Sequence, residues 1–154
     1  MSLSSNPADE NHARSDAYRA AGLTTWFAED RIWLWAGNSA NAITVLDEIG
    51  TEAHRHLQQV CLYAPTVAHD SGLWTFLTSP VEIDSDTQEF MARRSILIAK
   101  PGVEVLLPSP ADEHAAHLWW IREPLGELPS TNYVLETLSI CHKIRSRRVG
   151  VIRQ

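Results

Sequence analysis

NAITVLDEIGTEAHRHL, residues 41–57, decides how this chain folds. AITVLD is apolar and β-branched and reads as a strand. Asp47 and Glu48 close it, and Gly50 leads into a helix. The spacing predicts that helix over 51–63, with Ala53, His56, Leu57, Val60 and Cys61 on one face. His54 and Arg55 are then solvent-facing and His56 partly buried. The adjacent acids raise the question of a metal site. Alternate residues on a strand share a face, so Asp47 and Glu48 point to opposite sides. They share a metal only if the strand ends there or carries a bulge.

Upstream, ARSDAYRAAG (13–22) predicts a short helix stopped by Gly22. LTTWFA and RIWLWA predict a strand pair joined by a tight turn at ED, and GNSAN is a turn. Downstream, APTVAHDSG predicts a loop with a short extended piece. LWTFLTSP is a strand closed by Pro80, and SDTQEFMARR (85–94) is a helix capped by Ser85. SILIA and VEVLLP are strands around the Pro101–Gly102 turn. SPADEHAA is a loop and HLWWIR a strand. TNYVLETLSICHKI (131–144) is a helix with Val134, Leu135, Leu138, Cys141 and Ile144 on one face. Helices and strands mix without strict alternation, which predicts an α+β, two-layer domain with a mostly antiparallel sheet and about four helices. The single domain spans 13–144, between a disordered polar lead over 1–12 and a basic C-terminal tail over 145–154.

A chain of 154 residues, 44% hydrophobic, matches one domain. No apolar run reaches the ~18–20 residues of a membrane span. The first residues lack the apolar stretch of a secretory signal. Cys61 and Cys141 lie far apart and predict buried free thiols in a reducing cytoplasm. The net charge is −6, yet residues 142–154 carry Lys143, Arg145, Arg147, Arg148 and Arg153 and no acid. A basic tail on an acidic body attracts DNA or RNA locally. It also reads as the cationic end of a helix, favoured by the helix dipole.

Four segments in order resemble the bifunctional DNA primase–polymerase domain of the archaeo-eukaryotic primase superfamily, in a short form of actinobacterial type. They are AYRAAGLTTWF (17–27), NAITVLDEIGTEAHRHL (41–57), APTVAHDSGLWTFL (64–77) and RRSILIAKPGVEVLLPSPADEHAAHLWWI (93–121). The resemblance implies an RRM-like core. It also implies carboxylates that hold two divalent metals, with Mg or Mn as cofactor. Laid on that pattern, Asp47 matches the first acid, and Ile49 stands at the second. Leu73, Trp74 and Thr75 occupy the place of the nucleotide-contacting histidine, with His69 several residues early. Leu97 stands at the third carboxylate, and the glycine run has shrunk to Ser71–Gly72. One carboxylate does not neutralise two metals beside a triphosphate. The resemblance therefore implies a non-catalytic accessory module without a cofactor, associated with nucleic acid or with a protein. Lys143, Arg145, Arg147 and Arg148 are its candidate nucleic-acid contacts.

Two other readings stand beside it. A reduced nucleotidyl transferase would use Asp47 and Glu48 with support from Glu104 or Asp70. A homodimer or other assembly would use tryptophans, since HLWWIR places Trp119 and Trp120 on opposite strand faces. Asp112, Glu113, His114 and His117 are spaced for zinc only if that loop is helical, and no third histidine or cysteine is near. LWTFL sets Trp74 and Phe76 on one face, as core or as a stacking surface for bases. No GxSxG elbow or phosphate-loop glycine spacing is present.

Overall fold

The computed structural model describes residues 6–152. In chain order the elements are α1 (Pro7–Ala20), β1 (Thr25–Ala28), β2 (Arg31–Trp35), β3 (Asn41–Leu46), α2 (Asp47–Gln59), β4 (Thr66–His69), β5 (Leu73–Thr78), α3 (Ser85–Ala92), β6 (Leu97–Ile98), β7 (Glu104–Leu107), α4 (Pro110–His114), β8 (Leu118–Arg122) and α5 (Thr131–Ile152). The class is α+β with antiparallel strand pairing, as expected, and the strands divide between two sheets. The smaller sheet has the order β1-β2-β7 and the larger β6-β3-β5-β4-β8. Among the described residues, no helix is long and apolar enough to cross a membrane.

Strand alternation gives the larger sheet two buried faces. Ile43, Val45 and Phe76 face Ile49, Ala53 and Leu57 of α2 and Val134, Leu135, Leu138 and Cys141 of α5. Ala42, Val67, Leu77 and Leu118 face the other way. They meet Ile32, Leu34 and Leu107 of the smaller sheet and Tyr18 of α1. Trp74 and Phe76 pack against the helical core, so the LWTFL face is core rather than a stacking surface. Trp119 and Trp120 diverge as expected. Trp120 packs on the second core and donates its Nε1–H to Tyr18 Oη at 2.8 Å, while Trp119 remains 38% exposed.

Several local expectations are corrected. Helix α1 begins at Pro7, with the Asn6 side chain accepting from the Ala8 N–H, so the lead expected to be disordered over 1–12 is helical from residue 7. Residues 1–5 lie outside the described residues. Helix α5 continues to Ile152, so the expected 145–154 tail is the end of a helix through residue 152. Asp84, not Ser85, caps α3 and accepts from the Thr87 N–H at 2.6 Å. The short extended piece expected within 64–72 is β4, whereas the expected 109–116 loop contains α4, capped by Ser109. Cys61 is exposed at the left-handed end of α2 (φ 57°), and only Cys141 is buried.

The junction after β3 departs most from expectation. The strand stops at Leu46 and α2 begins at the next residue, four residues earlier than the sequence spacing predicts. Leu46 occupies the N-cap and has no side-chain cap bond. The N–H of Asp47 donates to Gly72 O at 3.0 Å, in the turn between β4 and β5. A tertiary acceptor thus satisfies one of the N–H groups that the start of a helix leaves without an intrahelical partner. Asp47 and Glu48 in the first turn complement the helix dipole. Gly50 lies inside the helix, where a Cβ would sit 2.8 Å from Trp74 Cε3.

This contact predicts a sign. Gly-to-Ala inside a helix ordinarily gains about 1 kcal/mol, whereas overpacking a core costs about 1–3 kcal/mol. The packed indole makes the second effect larger. Gly50→Ala should lower the urea midpoint at unchanged m-value, and pairing it with Trp74→Leu should recover part of the loss. A midpoint raised by Gly50→Ala alone would show that α2 does not lie this close to β5.

Candidate anion-binding groove

The carboxylates named from the sequence do not converge. Asp47 and Glu48 are exposed on the first helical turn rather than split across a strand. Glu48 forms an ion pair with Arg145 of α5. Asp70 pairs with His117 Nδ1 at 2.9 Å, which ties the β4–β5 turn to the start of β8. Glu104 lies in the other sheet, opposite Trp35. His69 is half-buried, with Nε2 2.9 Å from Thr75 Oγ1. Ile49 is core, Trp74 is covered by α2, and Leu97 is exposed on β6. Among the described residues, no three His, Cys, Asp or Glu side chains are grouped to hold a metal ion.

The cations do converge. Arg93, Arg94, His142, Lys143, Ser146 and Arg147 line a groove of about 470 Å³ between the end of α3 and α5. It adjoins a hollow of about 350 Å³ bordered by Leu46, Ile49, Arg94, Ser95, His142, Arg145 and Ser146. Among the described residues, no acidic side chain lines either space. Two local geometries build the wall. Ser95 takes a left-handed φ of 59° after α3, and Ile96 turns back to donate to Met91 O at 3.0 Å. That reversal buries Ile96 and leaves Arg93 and Arg94 outside. On α5, residues 142, 143, 146 and 147 share a face, while Leu138 and Cys141 point into the core.

The groove cations are held differently. Arg93 reaches Glu89 at 2.7 Å, and the Arg94 guanidinium lies 3.5 Å over the Phe90 ring. Lys143 and Arg147 have no ion-pair partner among the described residues. The Arg148 side chain and Arg153 lie outside the described residues. Burial, then Arg94 and Arg145, pushes His142 below its usual value. Of the four cations expected to contact nucleic acid, Lys143 and Arg147 face the groove, and Arg145 borders the hollow while paired to Glu48. Sequence reasoning missed Arg93, Arg94, His142 and Ser146. The available signal was ARR at residues 92–94, a cationic helix end about fifty residues from the tail.

Two further histidines are depressed. His54 is lowered by burial and then by Arg122, whose Nε–H donates to His54 Nε2 at 2.9 Å. His54, expected to face solvent, is therefore partly buried, and His56 is exposed. His69 is lowered by burial, partly opposed by Asp70. No family model, curated protein or solved structure matches this chain.

These histidines set a pH dependence. Each is held below its ordinary value of 6.5, so the unfolded chain binds protons first as pH falls. The stability present above 6.5 is lost as pH falls through the lower folded-state values. Urea midpoints should drop between neutral and mildly acidic pH, before the carboxylates titrate. His69→Gln, which keeps a hydrogen bond to Thr75, should flatten that drop, and an unchanged slope would refute the assignment.

Proposed function

We propose that this chain is a non-catalytic binding module, a primase–polymerase-like domain that holds a nucleic-acid backbone along the groove between α3 and α5. The observation that carries this reading is the meeting of Arg93 and Arg94 with Lys143 and Arg147 around one space that no acid lines among the described residues. The whole chain has a net charge of −6, so such a groove locally reverses the sign of the protein's field. Two of its cations are free of ion pairs among the described residues, and the groove is open enough to follow a chain of phosphates. The order of the four family-like segments supports the same reading. Asp47 and Glu48 serve the helix end and the Arg145 pair, which supports a binding role over a two-metal reaction. The free thiols of Cys61 and Cys141 suit a reducing cytoplasm.

Fluorescence anisotropy with single- and double-stranded oligonucleotides at low salt tests the reading. Binding should weaken as salt rises, with a log–log slope of about −0.7 per phosphate neutralised on a single strand. Lys143→Glu with Arg147→Glu should weaken it and flatten the slope by about two such contacts, or roughly 1.4. Arg93→Glu with Arg94→Glu should do the same, although those residues are distant in sequence. No binding by the wild-type protein at low salt would overturn the proposal, as would charge reversals without effect.

A further inference from the structure

We infer that Glu48 is a built-in competitor for the groove, an acidic side chain that occupies the Arg145 guanidinium until a phosphate displaces it. The inference rests on the groove being an anion site and concerns its regulation. Arg145 stands where two spaces meet. On one side it borders the hollow that continues into the groove. On the other it lines a cavity of about 170 Å³ with Glu48, Ile49, Glu52, Cys141 and Ile144. Its Nη2 reaches the Glu48 carboxylate. Its Nη1 is buried and has no hydrogen-bond partner among the described residues, so the guanidinium is only partly satisfied in this state.

The arrangement favours exchange. A guanidinium offers five donors in a fixed fork, and a phosphate can accept two of them side by side. Glu48 uses Nη2 and leaves Nη1 unmet. The Glu48 side chain is 66% exposed and that of Arg145 38%, which places their pair in the weak, solvent-screened class. Once released, Glu48 still sits in the first turn of α2, where a negative charge is favoured. An entering phosphate can therefore take over Arg145 at little cost to the fold. Glu52 provides an internal comparison. It lines the same cavity but reaches Arg55 at 3.5 Å, not Arg145.

The test measures affinity for a short single-stranded oligothymidylate in the wild type, Glu48→Gln, Glu52→Gln, Arg145→Gln and the Glu48→Gln/Arg145→Gln pair. Circular dichroism melting verifies that each is folded. Glu48→Gln should bind about two- to five-fold tighter, the range that releasing a surface ion pair implies. Glu52→Gln should gain less. Arg145→Gln should bind more weakly than wild type, and adding Glu48→Gln to it should restore nothing, because the gain acts through Arg145. Wild-type binding with no gain in Glu48→Gln would overturn the competitor alone. So would an equal gain in Glu52→Gln, or a gain that survives without Arg145. Absence of binding in every protein would overturn the groove reading and this inference with it.

Discussion

Helix α2 leaves strand β3 with no connecting turn, and it can do so because Gly50 presents no side chain to Trp74. A strand that passes straight into a helix has to bring the first helical turn down onto its own sheet. Any Cβ at residue 50 would meet the indole of the neighbouring strand at 2.8 Å. With glycine there, α2 settles onto the sheet, Ile49 enters the core, and Asp47 and Glu48 turn outward. The bond from the Asp47 N–H to Gly72 O completes the junction from the other side. That one approach places Ile49 at the floor of the hollow and sets Glu48 opposite Arg145.

Charge is distributed around this frame with a consistent logic. Acids gather where helices begin, as on α2, and cations gather where α3 ends and along the distal part of α5. At physiological salt a charge is felt over about 8 Å, so the groove's field is set by its own lining more than by the net charge of the chain. The depressed His142 adds donor capacity without a fixed charge, and Ser146 adds a hydroxyl beside it.

The tryptophans separate into distinct physical roles. Trp74 is the surface against which α2 is seated, and Trp120 bonds Tyr18 across the second core. Trp26, Trp33 and Trp35 stack on one face of the small sheet, with Trp26 and Trp35 ring centroids 4.3 Å apart. Cross-strand register explains that ladder. Trp26 lies directly opposite Trp33, and Trp35 is two residues further along the same strand.

The sequence by itself determined the class and most of the elements. The short apolar runs AITVL and LWTFL mark strands buried on both faces, and the helical spacing of Val134, Leu135, Leu138 and Cys141 marks the buried face of α5. The Glu29–Asp30 hairpin was equally legible, since two residues between two strands require the left-handed pair found there. Only the tertiary structure decided where β3 ends. The first N–H of α2, that of Asp47, meets a carbonyl contributed from residue 72, which leaves no mark at residue 46. For the same reason it alone decided the groove. Arg93 and Arg94 become neighbours of Lys143 and Arg147 through the packing of α3 and α5. Charges on separate helices carry no shared periodicity that a linear reading can detect.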